Sequence, residues 1–117
     1  MKKTILILAI LLYTITIVGQ NKNEKVAFEV AGICEMCKER IEKAALTTKG
    51  VKYANWDLET HMLSLIIDER KTSAQKVQEN VAAVGHSTVE VETTLEAYNN
   101  LDECCKYNDE EVVNDHK

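Results

Sequence analysis

Between Lys25 and Val30 the chain alternates: Val26, Phe28 and Val30 are apolar, while Lys25 and Glu29 are charged. A period of two predicts a strand with one buried face, and Gly32 ends it. From Met36 the period lengthens. Cys37, Ile41, Ala44, Ala45 and Thr48 fall on one helical face, with Lys38, Glu39, Glu42 and Lys43 opposite. Lys49 and Gly50 close this helix in the way the helix dipole and a left-handed cap favour. Residues 51–58 read as a second strand, with Ala54, Trp56 and Leu58 on one face. After a turn at Glu59 and Thr60, residues 61–68 read as a third, with Leu63, Leu65 and Ile67 inward. Thr72 and Gln75 form a capping box that opens a helix with Ala74, Val77, Val81 and Val84 on one stripe. Gly85 closes it, and Val89 with Val91 suggests a fourth strand. Residues 94–117 are polar and acidic, with a short helix expected over Leu95, Tyr98 and Leu101.

This βαββαβ order predicts an α+β, ferredoxin-like sandwich: a four-stranded antiparallel sheet with two helices on one face. The core domain is expected over residues 24–92. An acidic C-terminal extension with a vicinal cysteine pair follows over residues 93–117. The topology places the segments 31–37, 58–61 and 85–88 at the same end of the sandwich. It therefore brings Cys34, Cys37, His61 and His86 near one another before any side chain is considered.

The N-terminal residues follow a different pattern. Lys2 and Lys3 precede an uncharged, mostly apolar run over residues 4–18, and Gly19 is followed by the polar Gln20, Asn21 and Lys22. The run is shorter than the ~20 residues that span a bilayer, so residues 1–20 read as a signal peptide. If the run stayed uncleaved it would anchor the chain to the membrane. Export, most simply to a periplasm, also favours oxidised cysteines unless something holds them reduced.

Composition narrows the function. The 117 residues suit one domain with tails. A net charge of −5 argues against a nucleic-acid partner, because phosphate affinity comes from Lys and Arg. The chain has no proline, which removes any mechanism built on a cis-proline.

The chemistry sits in Gly32-Ile33-Cys34-Glu35-Met36-Cys37-Lys38. Two cysteines three apart, entering a first helical turn, meet free amide N–H groups and the positive end of the dipole, which favour thiolates. Lys38 adds a nearby positive charge. Such a pair can hold a soft d10 ion in two-fold or three-fold coordination, Cu(I) or Hg(II). Structural Zn(II) wants four ligands, so the pair alone is incomplete for zinc.

Here the sequence resembles the heavy-metal-associated domain family, from about Val26 to Val91. Cys34, Cys37, Ile41, Glu42, Gly50, Val51 and Ala54 stand at the family's offsets. The chain departs in having only Ile33 between Gly32 and Cys34, without the usual methionine there. Ile33 or Met36 is expected to supply that packing. The resemblance implies a ferredoxin-like fold and reversible metal carriage by Cys34 and Cys37.

Other residues carry competing readings. His86 is a candidate third ligand; the plainer reading is a loop residue that tunes local charge. His61 is a weaker candidate at the same end. Met36 reads as a core residue before a thioether ligand, and Trp56 and Phe28 as core aromatics. Cys104 and Cys105 are adjacent, and a vicinal pair rarely closes on itself without strain. They either complete a metal site with Cys34 and Cys37, form disulfides, or make a second site in the tail.

The leading expectation is a non-enzymatic, exported carrier or sequestering protein for Cu(I), Hg(II) or Zn(II). Its partners would be a membrane metal transporter or another metal-binding domain, with a metal-bridged homodimer as a further form. The alternative is a thiol–disulfide oxidoreductase that uses the same cysteine pair. The missing proline and the different order of elements count against it.

Overall fold

The computed structural model describes residues 20–117. Apart from Gln20, the expected signal segment lies outside the described residues. The chain runs β1 (Glu24–Glu29), α1 (Glu35–Leu46), β2 (Val51–Trp56), β3 (Met62–Ile67), α2 (Ala74–Ala83), α3 (Leu95–Asn99), a 3-10 turn (Glu103–Cys105) and α4 (Glu110–Asp115). Among the described residues, no helix is long and apolar enough to cross a membrane.

The sheet is antiparallel in the order β1-β3-β2. Phe28 and Trp56 both lie opposite Leu63, and Val26 and Ala54 both lie opposite Leu65. Directly opposed residues share a face, so one face collects the apolar set that the period-two pattern predicted. Helix α1 covers it with Cys37, Ile41, Ala44 and Ala45, and α2 adds Val77 and Val81. Each fully buried Val, Leu or Ile contributes about 1.5–3 kcal/mol from apolar surface removed from water.

Four sequence expectations need correction. Among the described residues the sheet has three strands, not four. Beside β1 the chain makes an isolated bridge, Val30 with Thr88, and the Ala31 N–H donates to the Ser87 carbonyl at 2.9 Å. It then turns back on itself. The Thr88 N–H donates to the Val91 carbonyl at 2.8 Å, while the buried Gln78 side chain accepts from Thr88 Oγ1 at 2.8 Å and from the Glu90 N–H at 3.0 Å. These bonds use the polar groups a fourth strand would have offered to β1, and Val89 is left exposed.

Second, the described residues hold four helices: the two of the sandwich, the short one expected in the extension, now α3, and a further one, α4, which the polar pattern of residues 110–115 did not suggest. Third, α2 is capped by Ser73, whose Oγ accepts from the Lys76 N–H, not by Thr72. The Thr72 N–H is instead taken by the Asp68 carbonyl in the preceding turn. Fourth, Leu58 and Val84 are exposed rather than inward. Leu58 lies beyond the end of β2, and Val84 is the C-cap of α2, so neither is held to the face its period assigns.

The extension docks on the core. Leu101 and Cys105 belong to the same buried cluster as Phe28, Ile41 and Trp56, with Tyr98, Cys104 and Tyr107 packed against it. Gly85 receives Leu101 closely: a Cβ at that position would lie 2.7 Å from Leu101 Cδ2, and its φ of +108° suits glycine. Tyr107 Oη donates to the Gly85 carbonyl at 2.8 Å and accepts from the Ser87 N–H at 3.1 Å. Arg40 on α1 reaches Asp102 at 2.7 Å.

Candidate metal centre

Cys34 is the N-cap of α1, with extended backbone angles (φ −144°, ψ 171°). The Lys38 N–H donates to its carbonyl at 3.0 Å. Cys37 follows in the first turn and faces the core, fully buried. Gly32 lets the strand-to-loop turn run tight. A Cβ there would lie 3.0 Å from the Trp56 ring and 3.2 Å from Cys37 Cβ. Trp56 supports the loop from below, its Nε1–H shared between the carbonyls of Val30 and His61, each at 3.1 Å. Ile33 packs against the core, whereas Met36 is 45% exposed. The core role expected of Met36 is therefore filled by Ile33, because position 36 faces outward on the first turn of α1.

The sulfurs of Cys34 and Cys37 are 3.2 Å apart. The extension adds two more. Cys105 Sγ lies 3.3 Å and Cys104 Sγ 3.9 Å from Cys34 Sγ, and the vicinal pair's own sulfurs are 3.9 Å apart. Among the described residues, Cys34, Cys104 and Cys105 form a set whose ligand atoms all lie within 4.8 Å of one another. All four cysteines are free thiols. Met36 Sδ sits 3.3 Å from Cys104 Sγ at the exposed rim.

The four thiols are not equivalent. Burial raises the Cys34 thiol, but its contacts with Cys37, Cys105 and Cys104 outweigh this and leave it below its ordinary value. Burial raises Cys37. Burial, with neighbouring thiols, pushes Cys104 up to about 11 and Cys105 up to about 12, the Arg40 contact opposing the shift at Cys105. Cys34 thus ionises first and touches each of the other three.

The other predicted residues separate by position. His86 is fully buried; its Nδ1 lies 2.7 Å from the Ala31 carbonyl, and its Nε2 has no hydrogen-bond partner. Burial lowers its pKa to about 4. It stacks on Tyr107 and stands outside the three-sulfur set. His61 takes a left-handed conformation (φ 62°) and stacks flat on Trp56 at 5.5 Å. Both histidines lie at the predicted end, one packed under the loop and one against its tryptophan support. Lys38 does not turn to the thiols: its Nζ donates to Glu42 at 2.7 Å, to the Trp56 carbonyl at 2.8 Å and to Asn55 Oδ1 at 3.1 Å.

The cation at the site is Arg40, which sequence reasoning missed. Its guanidinium contacts Cys105 and Asp102, and its Nη1 is buried without a partner. Its position three residues after Cys37 is the signal that places it near the loop, since i and i+3 are neighbours on a helix.

The family model for the heavy-metal-associated domain matches residues 27–87. No curated protein matches the chain. Among solved structures, a CopZ metallochaperone is 25% identical over 56% of this chain and 100% of its own, with a TM-score of 0.55. Oxidized MerP from Ralstonia metallidurans CH34 is 28% identical over 56% of this chain and 93% of its own, at 0.54. The N-terminal domain of a potential copper-translocating P-type ATPase from Bacillus subtilis, in its Cu(I)-loaded state, is 25% identical over 56% and 84%, also at 0.54.

Proposed function

The chain belongs to the heavy-metal-associated domain family, and from that premise we propose that it is a non-enzymatic carrier or sequestering protein for a soft metal ion. Cys34 and Cys37 hold the ion reversibly. The observation that carries this reading is the meeting of their sulfurs, 3.2 Å apart at the head of α1, with the Cys34 thiol shifted toward its ionised form. Thiolate is the form that binds metal, and soft sulfur ligands select Cu(I) and Hg(II) over harder ions. Zn(II) is the third candidate, because further thiols lie close by.

The likeness to a metallochaperone, to MerP and to an ATPase domain supports handover to a membrane transporter or another metal-binding domain. The acidic surface suits a basic docking patch, with the ion passing by thiolate exchange. The N-terminal pattern supports export to a periplasm, which fractionation and N-terminal sequencing of the mature protein would establish.

The test is native mass spectrometry of the reduced protein titrated with Cu(I), Hg(II) and Zn(II). One tightly held soft ion per chain is expected, with any metal-bridged dimer visible in the same spectrum. The Cys34→Ser/Cys37→Ser variant should lose that ion. If it bound as well as the parent, the site would lie elsewhere.

A further inference from the structure

The sulfurs of Cys104 and Cys105 come from a segment outside the matched domain, yet they converge on Cys34. We propose that the extension is a ligand-bearing clasp: Cys34, Cys104 and Cys105 hold the soft ion in a closed three-thiolate site, distinct from the Cys34–Cys37 pair and sharing Cys34 with it. The proposal rests on the metal-carrier reading above.

Geometry favours three-fold closure over the pair. With metal–sulfur bonds of about 2.3 Å, a planar three-coordinate ion sets its sulfurs about 4.0 Å apart, and a linear two-coordinate ion sets them about 4.6 Å apart. Two edges of the Cys34–Cys104–Cys105 triangle are already 3.9 Å, and the third is 3.3 Å. The Cys34–Cys37 distance is 3.2 Å, and Cys37 is fully buried on a helix. Linear binding by that pair needs a larger displacement of its sulfurs.

The clasp is built rather than loose. Cys105 is fully buried, Leu101 fills the space above Gly85, and Tyr107 binds the Gly85 carbonyl and the Ser87 N–H. Lys106 Nζ donates to the carbonyls of Tyr98 and Asn99 at 3.0 and 2.8 Å, fixing the turn that presents the pair. The charge is also provided for. Three thiolates with Hg(II) carry a net −1, and with Cu(I) a net −2. The Arg40 guanidinium, whose charge acts on Cys105 and whose Nη1 is buried without a partner, supplies a positive charge and a spare donor.

Passage from pair to clasp is a ligand substitution without redox change. Cys104 and Cys105 each release a proton and bind the ion, and Cys37 leaves it and takes one up. The shared Cys34 keeps the ion attached throughout.

X-ray absorption spectroscopy of the reduced full chain with one equivalent of Hg(II) counts the sulfur neighbours directly. Three are expected in the parent and in Cys37→Ser, and two in Cys104→Ser/Cys105→Ser, with at least a tenfold loss of Hg(II) affinity in the latter. The parent measurement stands even if a tail variant folds poorly. Two sulfurs in the parent would overturn the clasp and leave carriage by Cys34 and Cys37 standing. Four would overturn it by placing Cys37 in the same shell. A parent that binds no Hg(II) would overturn the clasp, and one that binds neither Hg(II), Cu(I) nor Zn(II) would remove both readings.

Discussion

Cys34 and Cys105 are 71 residues apart in the chain, yet their sulfurs lie 3.3 Å apart. Cys34 sits at the head of the first helix and Cys105 at the end of a 3-10 turn in the extension. Because Cys34 also lies 3.2 Å from Cys37, it is the hinge between two pairs of thiols.

That position makes Cys34 the least replaceable cysteine. Cys34→Ser removes a ligand from both arrangements and should weaken Cu(I) binding by about 100-fold or more, since even outer-shell changes at metal sites cost about 10–100-fold. Cys37→Ser should cost less. Competition titration against a Cu(I) chelator would show the order, and equal losses would argue against a shared vertex.

Oxidation gives an independent view of the same geometry. Mild oxidant should yield two populations, one linked Cys34–Cys37 and one Cys34–Cys105, because both partners lie close to a single sulfur. Peptide mapping after alkylation would identify them. Cys105→Ser should convert the mixture to the first species, whereas a dominant Cys104–Cys105 link would contradict the placement of the extension.

Leu101→Ala should destabilise the protein by about 2–5 kcal/mol, the usual cost of emptying a buried leucine site. Leu101 is buried over Gly85 and belongs to the same core cluster as Ile41 and Trp56. Urea unfolding would measure the loss. A change under 0.5 kcal/mol would mean that the extension is not docked in solution.

His86 predicts a pH dependence. Its folded pKa of about 4 lies below its ordinary value of 6.5 because the ring is buried. The unfolded chain therefore takes up the proton first, and stability falls as pH drops from about 6.5 toward 4. The contribution is full above that window and amounts to about 3 kcal/mol. Denaturant midpoints at pH 7.5 and 4.5 should differ more in the parent than in His86→Gln. Equal differences would place the titration elsewhere.

Tyr107→Phe isolates the clasp's hinge. It removes the bonds to the Gly85 carbonyl and the Ser87 N–H while keeping the ring against His86. A loss of about 1–3 kcal/mol is expected, since net hydrogen bonds contribute about 0.5–1.5 kcal/mol each. Faster amide exchange at Ser87 would accompany it.

The sequence determined the elements whose signal is local. The alternation of Val26, Phe28 and Val30 and the inward set Leu63, Leu65 and Ile67 reported their faces correctly, because side-chain direction in a strand follows from position alone. The Cys34–Cys37 spacing and the order of elements likewise placed the first thiol pair at a loop entering a helix, with both histidines at the same end. Other features depended on partners far along the chain. Gln78 holds residues 88–91 in a turn, which denies Val89 and Val91 the strand their pattern suggests. Lys38 and Arg40 are both cations beside the loop, and only packing decided that Lys38 is held by Glu42 and Trp56 while Arg40 meets Cys105. The extension reads as acidic and polar, and past the short helix expected over Leu95, Tyr98 and Leu101 its few apolar groups gave no period to follow. Leu101 over Gly85 and Tyr107 on the loop at Ser87 brought Cys104 and Cys105 to Cys34, through long-range contacts that composition and spacing do not encode.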